Sequence, residues 1–422
     1  MPRLRLVLPA LLLALLAVPA AASAQRTGSC LVPGVFESCS VWTGKVTYVA
    51  DADTIYVDVD GDRTSARAYV RITGINAAEQ TVYSQTAARR RGECHALEAT
   101  ARLEQLIKKS RGRVRLTAQD PASRSGRRIR RAVAVRIGGR WRDVGRRLVA
   151  EGHALWLPNR RESLWNEDYS VLAQRAQRLG RGLWNPHHCG VGPSENSPLQ
   201  LWANHGREPG GEWIKVRNLD PAAEVPLGGW WVRDSALRRY TFPSWVTLPP
   251  GETITVYVGE GEDTWTELFW GLRSGIFDDL GAPEDHMGDG AYLFDPQGDL
   301  RGGMIYPCRG ACTDVNTGAI EITAKARGRE HIALRNLSAY AVDLATYKLE
   351  SRPYAYAFGR DAVIGPGETM IIDVEGDPGT DTRLAKGWGE TGRILNDGGD
   401  TIRLLSYTGI QLGCYAFGTK TC

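Results

Sequence analysis

Asp51-Ala52-Asp53-Thr54 and, past a polar hairpin, Arg71-Ile-Thr-Gly-Ile-Asn76-Ala77-Ala-Glu79 combine an acidic pair, an arginine and a second acid. An acidic pair can hold a hard cation, a guanidinium can neutralise phosphate oxygens, and a carboxylate can activate water. The residues lie along alternating, strand-like sequence. Together they suit metal-assisted attack on a phosphodiester.

The elements that must position them are short strands and three helices. Val46 to Val59 and Ala66 to Ile75 alternate around Asp60-Gly61-Asp62, a hairpin signal. Ala132 to Ile137 and Trp141 to Val144 flank Gly138-Gly139, a second hairpin. Helical periodicity marks Glu93 to Lys109, with Cys94, Leu97, Ala101 and further leucines on its apolar side. It also marks Val144 to Glu151, stopped by Gly152. A third helix runs from Asn166 to Leu179, with Tyr169, Leu172, Ala173, Ala176 and Leu179 inward.

Charge divides the chain. Residues 25–190 carry 29 Lys and Arg against 16 Asp and Glu, a balance of +13, whereas residues 191–422 carry 21 against 32, a balance of −11. A basic half of this kind expects an acidic partner, and nucleic acid is the obvious one. The competing reading is a solvated basic surface.

Arg3 and Arg5, the apolar run from Leu6 to about Val18, and Ala22-Ser23-Ala24 read as a secretory signal peptide cleaved near Ala24. The run is short for a membrane span, so no stable membrane insertion is expected. Eight cysteines follow it, at 30, 39, 94, 189, 308, 312, 414 and 422. In an exported chain they predict disulfides rather than metal thiolates. Proximity suggests Cys30–Cys39, Cys308–Cys312 and Cys414–Cys422, leaving Cys94–Cys189. His187-His188-Cys189 looks like metal-ligand sequence, but a disulfide cysteine beside surface histidines is the preferred reading. His95 and His153 are expected to be packing or surface residues.

The acidic half is repeated. Glu212-Trp-Ile-Lys-Val-Arg-Asn218 returns as Glu330-His-Ile-Ala-Leu-Arg-Asn336, Pro250-Gly-Glu-Thr253 as Pro366-Gly-Glu-Thr369, and Gly288-Asp289 as Gly399-Asp400. Short alternating strands between turn residues predict a β-sandwich in each copy.

The basic half resembles the staphylococcal-nuclease-like (thermonuclease) family. The carrying residues are Asp53-Thr54, Arg71, the position of Asn76 five residues on, Glu79 three further, Leu148-Val-Ala-Glu-Gly152 and Leu183-Trp184. The resemblance implies an OB-fold β-barrel with packed helices. It implies Ca2+ as cofactor, with Asp53 as a ligand, Asp51 nearby, and Asn76 and the Ala77 carbonyl completing the set. Glu79 would orient or deprotonate the attacking water, and Arg71 with a second arginine would hold the phosphoryl oxygens. Arg127, Arg128, Arg130 and Arg131 compete for that second place. Strand alternation favours Arg128, then Arg130, and the remainder would track the nucleic-acid backbone. Trp156 is a candidate for stacking on a base. The departures are Ala52 for the turn glycine, Ala78 for a proline, and Asn76 for an aspartate.

Both repeats resemble lamin-tail domains, small immunoglobulin-like β-sandwiches, through the Asn218 and Asn336 strand ends, Leu227-Gly-Gly-Trp230 with Asp234, the Pro-Gly-Glu-Thr turns and the late Gly-Asp. Trp213, Trp230, Trp231 and Trp245 are their core candidates. The expected organisation is a signal peptide (1–24), a nuclease-like domain (25–190), a linker (191–204) and two sandwiches (205–315 and 325–422). The expected function is a secreted, calcium-dependent endonuclease that cleaves DNA, with RNA a second substrate, to 3′-phosphate ends. The sandwiches would serve a cell-surface or envelope ligand. The alternative is an exported nucleic-acid-binding or cell-surface adaptor built on a degenerate nuclease core.

Overall fold

A computed structural model describes residues 25–80, 93–185, 187–188, 199–205, 211–277, 287–309, 314–359, 361–406 and 409–422. The expected signal peptide, Cys189, Cys312 and most of the expected linker lie outside the described residues. The fold is mostly β, and no helix among the described residues is long and apolar enough to cross a membrane.

In the basic half the strands are β1 (Arg26–Ser29), β2 (Ser38–Asp51), β3 (Thr54–Val59), β4 (Ala68–Ile72), β5 (Ile75–Asn76), β6 (Arg113–Ala118), β7 (Arg124–Ser125), β8 (Arg128–Ile137), β9 (Arg140–Asp143) and β10 (Leu155–Trp156). The main sheet runs β1-β2-β3-β4-β8-β6, and β6 pairs back onto β2, so five strands close on themselves. Sequence alternation predicts one strand from Val46 to Val59. The chain folds back at Ala52-Asp53, where the family resemblance places a turn, with Asp51 opposite Thr54. The Asp51 carboxylate accepts from the Asp53 N–H, giving the backbone a local turn in place of ladder bonds. Ala52 is not left-handed, so the missing turn glycine carries no backbone penalty here.

The helices are α1 (Ala96–Lys109), α2 (Val144–Ala150) and α3 (Asn166–Arg178). The buried face of α1 is Ala96, Ala99, Thr100, Leu103, Leu106 and Ile107, without the expected Leu97 and Ala101, and Leu97 is 71% exposed. The 103–106–107 cluster outweighs a single leucine, because three neighbouring large side chains bury more apolar area. On α3, Tyr169, Ala173 and Ala176 are buried as expected, whereas Leu179 at the helix end is exposed. Gly138 and Gly139 both hold positive φ, as a two-residue hairpin turn demands.

Two further cores follow. In the first sandwich, strands Leu199–His205, Glu212–Asn218, Thr253–Tyr257 and Glu267–Phe269 form one sheet, and Arg239–Thr241, Trp231–Asp234, Asp289–Phe294 and Leu300–Tyr306 the other. The second sandwich repeats this order from Ile320–Lys325 to Gln411–Ala416, including a parallel edge pair in each copy. Residues 199–204 therefore belong to a sandwich strand rather than a linker, because each of them pairs with the strand ending at Asn218. The second sandwich likewise starts at Ile320, earlier than expected.

The repeated residues have matching tasks. Glu212 accepts from the N–H groups of Ile276 and Phe277, and Glu330 from those of Ile394 and Leu395. Asn218 donates to Ala223 and Leu248 carbonyls, and Asn336 to those of Tyr340 and Ile364. Each pair satisfies loop backbone that would otherwise be buried without partners. Trp230 is buried, but Trp245 is 46% exposed and so is not a core residue. Cys30–Cys39 and Cys414–Cys422 are bonded, and Cys94 and Cys308 are also in disulfides.

Candidate active site

The β2–β3 turn and the β3–β4 pairing bring the acids and Arg71 together. Thr54 lies opposite Arg71, and the Ile72 N–H donates to the Asp53 carbonyl at 2.7 Å. Asp53 is fully buried. Its Oδ1 accepts from Arg71 Nη1 at 2.5 Å and Thr54 Oγ1 at 2.8 Å, and its Oδ2 accepts from the Ala77 N–H at 2.9 Å. Arg71 Nη2 also donates to the Ile75 carbonyl. Gly74, at φ 77°, redirects the chain from Arg71 toward Asn76, and a Cβ there would meet the Tyr169 ring at 2.8 Å.

Glu79 borders the same group. Its backbone exchanges hydrogen bonds with Glu93, the N–H donating to the Glu93 carboxylate at 2.8 Å. Burial raises the Glu79 pKa, as do Asp53 and Glu93, while Arg71 and Arg128 oppose the rise. Burial also raises Asp51, and it pushes Asp53 up to about 6 against the pull of Arg71. Three partly desolvated carboxyls thus share two nearby guanidiniums. Such a site favours an added positive charge or retained protons.

The arginines of β7 and β8 separate by strand parity. Arg128 Nη1 donates to Thr54 Oγ1 at 3.0 Å, which joins it to Asp53 through one side chain. Arg130 pairs in register with Arg71, and its guanidinium turns to the Arg124 carbonyl. Arg127 is exposed on the turn before β8. Arg131 faces away: it is 5% exposed, lies 4.3 Å from the Trp42 ring centroid and donates to the Pro121 carbonyl. Its expected contact with nucleic acid is therefore corrected, because its donors and its flat face are already used inside the fold. Trp156 is corrected for the same reason. It is 1% exposed in β10, which pairs with β5, and leaves no face for a base.

Asn76 differs most from expectation. Its Oδ1 accepts from Arg233 Nη2 of the first sandwich at 3.0 Å. Arg233 stands over the rings of Tyr292 and Phe294, and burial lowers its pKa. A guanidinium on this oxygen opposes a cation on the same oxygen, so Asn76 does not fit a metal shell as placed. Asp53 Oδ1 is likewise held by Arg71, so as placed the acidic pair offers a cation only Asp51 and the Oδ2 side of Asp53, which carries the Ala77 N–H and no cation.

The contact belongs to a broad seam. Gln174 donates to the Ile305 and Pro307 carbonyls and Gln177 to that of Gly303. Tyr292, Leu300 and Ile305 of the sandwich join the core of the basic half. Arg233 carried no signal in the sequence, since 157 residues separate it from Asn76. His95, His153 and His188 are also scattered in the sequence, and the structure gathers the other two around the His95 ring.

No curated protein matches the chain. A family model described as Lamin Tail Domain matches residues 192–304.

Proposed function

We propose that the basic half is a phosphodiesterase acting on DNA, with RNA a second substrate, and that it works as an exported protein. In this reading the five-stranded ring is an OB-type barrel of the staphylococcal-nuclease-like kind, and both sandwiches are lamin-tail domains. One observation carries it: Asp53, Arg71, Glu79 and Arg128, from four separate stretches, form one electrostatically coupled cluster on a basic body.

Asp51 and Asp53 would hold a calcium ion, beside Ala77, whose N–H meets the Asp53 carboxylate. Bound there, the ion would supply Lewis-acid stabilisation of the phosphoryl oxygens. Glu79 takes the proton of the attacking water, a task helped by a pKa above the usual glutamate value. Arg128, and Arg71 on giving up its bonds to Asp53 and the Ile75 carbonyl, bind the non-bridging oxygens as charge develops on them. Arg127 and Arg130 add sequence-independent attraction for the backbone.

The test is incubation of the full chain with single- and double-stranded DNA in calcium or chelator, followed by end analysis. Calcium-dependent cleavage to 3′-phosphate ends is expected. Salt-sensitive binding with no cleavage at high protein concentration refutes it and favours the adaptor reading, for which the occupied Asn76 oxygen is the supporting observation.

A further inference from the structure

His95, His153 and His188 come from three separate stretches, and none of them takes part in the carboxylate cluster. His95 precedes α1 with a left-handed backbone, φ 68°, which a non-glycine residue adopts only when its surroundings impose it. Its side chain does not cap the helix. The ring bridges two others: Nδ1 lies 2.6 Å from His188 Nε2, and Nε2 lies 2.9 Å from His153 Nδ1. Glu98, one turn along α1, brings a carboxylate oxygen within 4.8 Å of the facing His95 and His188 nitrogens.

We propose that His95 Nδ1, His188 Nε2 and the Glu98 carboxylate form a binding site for a zinc-class divalent ion. Two imidazoles and a carboxylate are a donor set for borderline metals and not for calcium. Two nitrogens on one tetrahedral zinc, each bonded at ~2.0–2.1 Å, stand ~3.3–3.4 Å apart, so the rings must part slightly on binding. His188 and Glu98 are exposed and free to make that movement. His95 Nε2 then donates to His153 Nδ1, and His153 Nε2 faces Glu151 at 3.9 Å. Glu151 is held by Arg102. A ligating histidine steadied by an outer hydrogen bond that leads to a carboxylate is the arrangement that orients metal-site imidazoles. The ion would fasten the end of the basic half, at His188, to the start of α1.

The test is zinc titration of the chelator-treated full chain in excess magnesium, read by calorimetry, by metal content after dialysis and by thermal melting. One zinc per chain and a raised melting temperature are expected. His188→Ala, at an exposed position, should remove the bound zinc and with it the zinc-dependent rise in melting temperature. His153→Ala should weaken binding by about 10–100-fold, and His187→Ala should change nothing. The proposal is overturned if the chain binds no zinc, if His188→Ala binds it equally well, or if His187→Ala loses it to the same degree. None of these readouts depends on cleavage of nucleic acid.

Discussion

The two sandwiches share strand order and loop-holding residues, yet differ at one equivalent position. In the first copy Arg233 lies opposite Tyr292, next to Phe294, and reaches Asn76 of the basic half. In the second copy Glu350 lies opposite Arg403, and it pairs only locally, with Lys348 and Arg352. The residues that build the sandwich are held in common. Those that decide what it docks against are not. A repeated fold therefore tells little about a repeated role.

Breaking the two positions should separate fold from docking. Arg233→Ala removes a hydrogen bond, two ring contacts and the partner of an enclosed amide oxygen, and should cost about 2–4 kcal/mol in urea unfolding of the full chain. Glu350→Ala removes pairings with two more exposed cations, Lys348 and Arg352, and should cost about 1 kcal/mol or less. Equal costs would mean that Arg233 contributes no more than a solvated side chain.

A second difference between the copies concerns the late aspartates. Asp289 accepts from the Ser235 and Gly290 N–H groups beside Asp234, and burial raises its pKa to about 7. Asp400 of the second copy accepts from Ser351 Oγ and from the Asn396 and Thr401 N–H groups. A carboxyl whose folded pKa lies above its unfolded value contributes stability that is full below the unfolded value. That contribution is lost as pH rises through the folded one. Wild type should therefore lose stability relative to Asp289→Asn between about pH 4 and pH 7, by on the order of 4 kcal/mol. A gap that does not vary with pH would contradict the raised pKa.

Asn76 sharpens the comparison further. Asn76→Asp alone should pair with Arg233 and leave calcium binding nearly unchanged. Asn76→Asp combined with Arg233→Ala should tighten it about tenfold, or about 1.4 kcal/mol. Calcium titration of the two single variants and the double variant measures the coupling. Additive single effects would show that Arg233 does not govern that oxygen.

What the sequence disclosed was local or periodic. The repeat offsets, the Glu212 and Glu330 strand starts and the Asn strand ends were legible because the same residue types recur at matching places in both copies, although the backbone that each glutamate holds lies 64 residues further on. Asp53, Arg71 and Glu79 were legible as a group because neighbouring strands join them. Arg128 over Arg131 followed from parity along β8, but the enclosure of Arg131 by Trp42 did not, since it depends on packing with β2. Trp156 reads equally well as a base platform or a core residue until β10 is known to pair with β5. The histidine cluster and the Arg233–Asn76 contact join residues far apart in the chain, and a period of two or 3.6 carries no information about such meetings.

The most direct measurement is the cleavage rate of Glu79→Gln at saturating DNA, with binding measured in parallel. Loss of about 10²–10⁴ in rate with affinity retained is expected if Glu79 handles the proton of the attacking water. Cleavage at the wild-type rate would contradict the assignment of the Asp53–Arg71–Glu79–Arg128 cluster as a phosphodiesterase site.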